Sequence, residues 1–378
     1  MGSQTPTETS PPAPLPEPAR PGSAAEPLGR YERLRRWLLH SRRPLLIILL
    51  ALLLGGGTVA LIGKAANYDT LLDAVREADK RWLVLCFAGE LLAYAGYILA
   101  YRDCARVDGG PVLEFWLATR VVIAGFGAFV VATSAGGLAV DYWALRKAGQ
   151  SRHQAIARVL GLNTLEWLVL GVAAWTASLV LFIGLGPDVP LGLTLTWLVV
   201  VPLCIAGGWW VSSPGRRERL TRIAEGAGRL RTAFADAVAG VVLVRRVVGR
   251  PTRYPAGVLG FPCYWAGHML CLYGGLRAFD ARVGLPALIL GFASGYAASA
   301  LPLPAGGSGG IEGGMTFALT AVGVPLAPAL LGVVAYRIFT FWLPMVPALA
   351  VLPTLRGLRH ELEEHSGARS ATAGAAAA

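Results

Sequence analysis

The feature that most constrains the fold of this chain is a series of apolar stretches as long as a bilayer is thick. Pro44–Gly63 carries no charged residue, and Trp82–Tyr101, Ala155–Leu185, Leu191–Val211, Pro255–Phe279 and Leu326–Leu352 are similar in character. A membrane-spanning helix needs ~20 mainly apolar residues. Only 15% of the 378 residues are charged, where a soluble domain carries roughly 25%. A water-soluble globule is excluded, and an all-α polytopic membrane protein is expected. The 47 Gly and 25 Pro are helix breakers, tolerated at membrane depth where other groups satisfy the freed backbone.

The net charge of +11 invites a nucleic-acid reading, but its distribution favours topology. Residues 212–254 hold ten Arg against three acids, and residues 1–43 hold seven Arg against four Glu. Residues 141–158 set Asp141 against Arg146, Lys147, Arg152 and Arg158. Each basic segment borders an apolar run, the bias of cytoplasmic loops. Lys64–Arg81 has four basic and four acidic residues and fits the outside. Nucleic acid is therefore not an expected partner. The five cysteines form no CxxC pair and no zinc spacing, so neither a metal nor a cofactor is expected.

The organisation read from the chain is as follows. Residues 1–29 are a Pro/Ala/Ser/Glu-rich cytoplasmic tail of disordered composition, unlike a cleaved signal peptide. Residues 30–211 hold the first membrane repeat and the first span of a second. Residues 212–254 are a basic amphipathic loop on the cytoplasmic face, 255–353 complete the second repeat, and 354–378 are a cytoplasmic tail.

Two breaks interrupt this pattern: Ala132–Gly137 and the glycine-rich Leu301–Gly314. The apolar pieces after them, 138–145 and 315–322, are too short to span, so each region is expected to be a re-entrant hairpin. A shift of 174 residues places Gly149 on Gly323, Asn163 on Arg337 and Trp167 on Phe341. Weak internal symmetry of this kind marks transporter repeats. With residues 1–43 inside, alternation of the spans puts all three basic segments inside. Each half then has three full spans and one hairpin, and an odd span number makes the two repeats inverted.

Charges inside a membrane are costly and are functional candidates by default. Here they are Glu90, Arg120, Arg158, Glu166, Glu312 and Arg337, with His268. Glu90 shares a helical face with Tyr94 and Tyr97. For Glu312 and Arg337 two readings stand open: a structural pair that holds the hairpin, or a direct role toward a ligand. His268 reads as a hydrogen-bonded core residue, and Arg120 as snorkelling to the cytoplasmic edge. The run Gly306, Gly307, Ser308, Gly309, Gly310 permits close approach of main chain. A half-helix starting near Ile311 would aim its amides at an anionic group. The same run matches G-x-S-x-G, but a serine nucleophile needs a base within reach. The only later histidines, His360 and His365, lie in the polar tail. An intramembrane hydrolase is the least favoured reading, and no catalytic residue is assigned.

Residues 301–347 are similar to the lysylphosphatidylglycerol synthase transmembrane family. The resemblance lies in Leu-Pro-Leu-Pro-Ala-Gly-Gly-Ser-Gly-Gly-Ile-Glu, in Gly323-Val-Pro-Leu-Ala-Pro-Ala, and in Tyr336-Arg-Ile-Phe-Thr-Phe-Trp-Leu-Pro344. Gly306, Gly307, Gly309, Glu312 and Arg337 fill the family's glycine, acid and arginine positions. Ala305 separates Pro304 from the glycine pair, where many members have the proline adjacent. The first half, around Ala132–Trp167, resembles the family loosely. That family includes the flippase half of the bacterial multiple peptide resistance factor and the stand-alone YbhN-like proteins. Two-domain members add a cytosolic aminoacyl-transferase domain; this chain stops after its spans, so lipid synthesis is not implied.

What the resemblance implies is a bacterial inner-membrane module, with both termini cytoplasmic, that binds and translocates a lipid without nucleotide hydrolysis. An anionic headgroup, of a phospholipid or a polyprenyl-linked lipid, would sit between the hairpins. Gly306, Gly307, Ser308, Gly309, Gly310, Glu312, Arg337, Glu90, Arg158 and Glu166 are the candidate ligand residues. The alternative is a membrane partner of a separate synthase or glycosyltransferase. A homo-oligomer is compatible with either.

Overall fold

The computed structural model describes residues 43–65, 68–132, 134–213, 215, 229–300, 308–351, 357 and 361–363. Residues 1–46 and 47–378 are separate units by their contacts. In the first, only the opening of one helix, from Arg43, is among the described residues. The expected N-terminal tail, Gly306, Gly307 and most of the C-terminal tail lie outside the described residues.

All regular structure among the described residues is helical. In chain order the helices are α1 (Arg43–Ala65), α2 (Tyr68–Arg76), α3 (Trp82–Arg106), α4 (Phe115–Ala132), α5 (Ser134–Lys147), α6 (Arg152–Phe182) and α7 (Leu191–Val211). There follow α8 (Arg229–Val248), α9 (Pro255–Ala278), α10 (Leu285–Tyr296), α11 (Gly310–Ala321), α12 (Leu326–Arg337) and α13 (Leu343–Val351). Trp82–Gly109, Arg152–Phe182, Leu191–Val211 and Leu326–Ala348 are long and apolar enough to cross a membrane. α1 and α9, of 23 and 24 residues, match the other two expected spans in length.

The centre of the fold is the crossing of α3 and α9, and glycine makes it possible. A Cβ on Gly89 would stand 2.5 Å from the Gly267 carbonyl oxygen, and one on Gly96 would stand 2.5 Å from that of Gly260. The reciprocal approaches are 2.4 and 2.6 Å. No side chain fits there, so the two backbones touch. Lipid tails are as apolar as Leu, so helices in a membrane associate through such close van der Waals packing.

The chain breaks produce helical hairpins, α4 with α5 and α10 with α11, each pair in extensive contact. Gly309 explains the start of α11. It has φ +85°, which a residue with a side chain rarely adopts, and its N–H donates to its own Glu312 Oε2 at 2.6 Å. Thr58 Oγ1 on α1 would lie 2.9 Å from a Cβ at that position. The close approach the glycines permit is thus to helix α1.

Of the basic segment 212–254, the described part is mainly helix α8. Residues 216–228 are outside the described set, but α8 buries Val238, Val242, Leu243, Val244 and Val247 and packs chiefly on α6. Gly161 and Gly240 meet at that interface. The arginines of α8 stand at its two ends, Arg229 and Arg231 at the start and Arg245 and Arg246 at the finish, with Arg245 lying 4.2 Å over the Trp209 ring.

Candidate functional site

A cavity of about 380 Å³ lies where α3, α4, α5, α6, α9, α10, α11 and α12 converge. Helices supply its polar groups at mid-length. Glu90 comes from α3, Asp141 from α5, Asn163 and Glu166 from α6, His268 from α9 and Arg337 from the end of α12. Eight aromatic side chains form the wall between them, among them Tyr94, Tyr97, Trp167, Tyr264 and Tyr296. The volume is within the range of small-molecule sites, roughly 300–1,000 Å³.

Arg337 owes its position to a local defect in the last span. α12 gives way to a π-turn over Ile338–Trp342 before α13 resumes. A π-turn widens the helix and is frequent at functional sites; here it puts Thr340 and Phe341 on the cavity beside Arg337. The guanidinium lies 4.2 Å over the Phe341 ring, and Nε donates to Glu312 Oε1 at 2.8 Å. Both members of this ion pair are buried. Nη2 is buried with no hydrogen-bond partner among the described residues, so one arm of the fork remains for another acceptor.

The opposite wall is acidic. Glu90 is 6% exposed, and its Oε2 has no partner among the described residues. Asp141 and Glu166 line the cavity together with Tyr97 and Tyr264. Among the described residues the salt bridges leave all three carboxylates out.

The cavity therefore gathers Glu90, Glu166 and Arg337 of the expected residues, with Glu312 behind Arg337. It does not gather the rest. Ser308, Gly309 and Gly310 are absent from its lining; this end of α11 packs against Leu54, Gly55 and Thr58 of α1. The expected cradle of glycine amides is, in its described part, a helix contact. Gly306 and Gly307 lie outside the described residues.

Arg158 serves the backbone instead. Its Nε donates to Ala105 O at 2.9 Å and its Nη2 to Val107 O at 2.7 Å, which satisfies carbonyls where α3 ends. Arg158→Met should lower stability by about 1–3 kcal/mol, the cost of orphaned carbonyls and a lost charged donor. It should leave ligand retention unchanged. Thermal unfolding in detergent beside a lipid-retention assay checks this; normal stability with lost retention would return Arg158 to the site.

Arg120 does not reach the membrane edge alone, since it pairs with Glu361 at 2.7 Å. His268 is the hydrogen-bonded core residue expected: Nδ1 is 3.1 Å from the Tyr336 hydroxyl. Asp141 escaped the sequence reading. It had been counted with the basic segment 141–158, although it lies mid-helix in α5 within one turn of Leu138 and Trp143; that placement was the available signal.

A polytopic helical bundle with long apolar helices around a polar, aromatic-walled cavity defines a class, the multi-pass membrane protein. Residues 48–348 match the family model of the lysylphosphatidylglycerol synthase TM region. The chain belongs to that family, which makes it a membrane protein of lipid metabolism or transport. No curated protein matches it significantly.

Proposed function

We propose that the protein binds a membrane lipid by its headgroup in this cavity and carries that headgroup across the bilayer, with no covalent step. The observation that carries the reading is the pairing of two unmet poles in one enclosure. The free Nη2 of Arg337 suits a phosphate oxygen. The free Oε2 of Glu90, with Asp141 and Glu166 among aromatic faces, suits an ammonium group. The favoured headgroup is thus a phosphate that also bears an amine, which departs from the anionic headgroup expected from the sequence because the ammonium cancels the phosphate charge.

Two inverted repeats are part of the same proposal, and three facts support them. Gly89 and Gly260, like Gly96 and Gly267, are 171 residues apart, and that shift exchanges the two close contacts of the α3–α9 crossing. Gly149 and Gly323 both have positive φ, +86° and +96°. Asn163 with Arg337, and Trp167 with Phe341, line the one cavity. We further place α4–α5 and α10–α11 as re-entrant hairpins, and the basic end in the cytoplasm of a bacterial inner membrane. At that end Arg106 reaches Arg253 O, and Lys147 pairs with Glu363.

The test is mass spectrometry of lipids retained by the purified full-length protein in mild detergent. Wild type should retain phosphatidylethanolamine over phosphatidylglycerol. A charge-assisted hydrogen bond is worth about 1.5–3 kcal/mol, so Glu166→Gln should cut that retention at least roughly tenfold. A preference for phosphatidylglycerol, or equal retention by the variant, removes the amine reading.

A further inference from the structure

The mechanism of headgroup binding leaves one quantity open: the charge of the empty cavity. Three carboxylates face it, from α3, α5 and α6. The cation on its wall is already balanced, because Arg337 is paired with Glu312 of α11. From α9, His268 is engaged with Tyr336 of α12, and it is enclosed by the rings of Tyr264, Trp265 and Phe292. The remaining titratable neighbours are tyrosines. Tyr94, Tyr97 and Tyr101 belong to α3, Tyr264 to α9 and Tyr296 to α10. These can donate a hydrogen bond but supply no positive charge.

Three carboxylates so placed cannot all be ionised. Carboxylates that share one small site and are themselves buried favour a proton on at least one of them. Glu90 shows the consequence most directly. It is 94% buried, lines the cavity, and has a carboxyl oxygen with no partner among the described residues. A buried carboxylate left so would cost several kcal/mol, whereas a protonated carboxyl does not carry that cost.

We infer that Glu90, Asp141 and Glu166 form a proton-binding site whose proton leaves when the ammonium group of the lipid enters, so that the protein exchanges lipid for proton. This rests on the headgroup reading above and adds its co-substrate. The balance is simple: a carboxyl O–H gives its proton to water, the carboxylate pairs with the arriving ammonium, and no bond of the lipid changes. The phosphate and ammonium of the headgroup cancel, so losing one proton leaves the occupied cavity one charge more negative than the empty one. Release of the headgroup on the far side lets a proton rebind from that side. A proton gradient then drives the lipid in the direction opposite to the protons.

Two measurements on the full-length protein in detergent test this, and they separate the proton site from the cargo. The first is infrared spectroscopy of the lipid-free protein at neutral pH. A protonated-carboxyl C=O stretch should be present in wild type and reduced in Glu90→Gln, Asp141→Asn and Glu166→Gln. Its absence from the wild-type spectrum overturns the inference, whatever the lipid. The second is calorimetry of short-chain phosphatidylethanolamine binding in two buffers of different ionisation enthalpy, which counts protons by linkage. Release of ~1 proton per lipid is expected. Binding with buffer-independent heat overturns the exchange. A protonated band with no binding of this lipid leaves the proton site standing and overturns both the exchange with an amine lipid and the headgroup reading.

Discussion

Gly96→Leu should prevent the protein from accumulating in folded form. The Cβ alone would stand 2.5 Å from the Gly260 carbonyl oxygen and 2.6 Å from the Tyr264 nitrogen. Both obstacles are main chain, so no rotamer change relieves the clash and α3 must move off α9. Overpacking a core costs about 1–3 kcal/mol where side chains can give, and more where they cannot. This crossing buries Trp265, Phe261 and Tyr101 nearby, so displacement would open the most extensive helix contact among the described residues. The expected loss is above ~3 kcal/mol. The control is Gly57→Ala on α1, where a Cβ meets nothing within 4 Å; it should be neutral or stabilising by about 0.5–1 kcal/mol. Fluorescence-detected size exclusion and thermal unfolding read both. A Gly96→Leu protein that melts with wild type would mean that the helices cross elsewhere.

Arg337→Leu should have the second largest effect, and it separates two roles of one side chain. Removing one partner of a buried ion pair costs about 3–5 kcal/mol, mostly the penalty of the charge left behind. Glu312, 3% exposed, is that charge. Adding Glu312→Gln should recover much of the loss, because the amide oxygen of Gln can still accept from the Gly309 N–H. The double variant is then folded but lacks the cation, so lipid retention measured on it tests the arginine as a ligand. Retention should be lost in the double variant. Arg337→Lys should keep the fold and lose about tenfold in retention, because an ammonium cannot hold Glu312 and a phosphate in one planar fork. Wild-type retention by the double variant would leave Arg337 a structural role alone.

The sequence located these two residues through cost. A lone arginine in a span is worth at least ~2.5 kcal/mol of insertion penalty, so an acid within reach was to be expected, and the glycine-rich break supplied Glu312. Glu90 with its two tyrosines was legible for a related reason, a shared helical face. Arg158 was misleading, since the same cost can be met by backbone carbonyls at a helix end, a partner that leaves no trace in composition. Asp141 was hidden because charge counting by segment ran a mid-helix acid together with the arginines that follow it. Ser308, Gly309 and Gly310 show a further ambiguity: glycine permits close approach, and among the described residues the approaching group is α1.

Hydropathy determined the helical class and the presence of long apolar helices, because transfer into lipid is a free energy local along the chain. The same data were silent on which charges would meet. A soluble helix announces its inward face by amphipathicity; a helix in lipid is apolar on both faces, so its rotation is set by packing. Only the tertiary structure decided that rotation, through the glycine contacts of α3 with α9 and the π-turn after Arg337. By turning Glu90, Asp141, Glu166 and Arg337 toward one space, and Arg158 away from it, those contacts made the cavity.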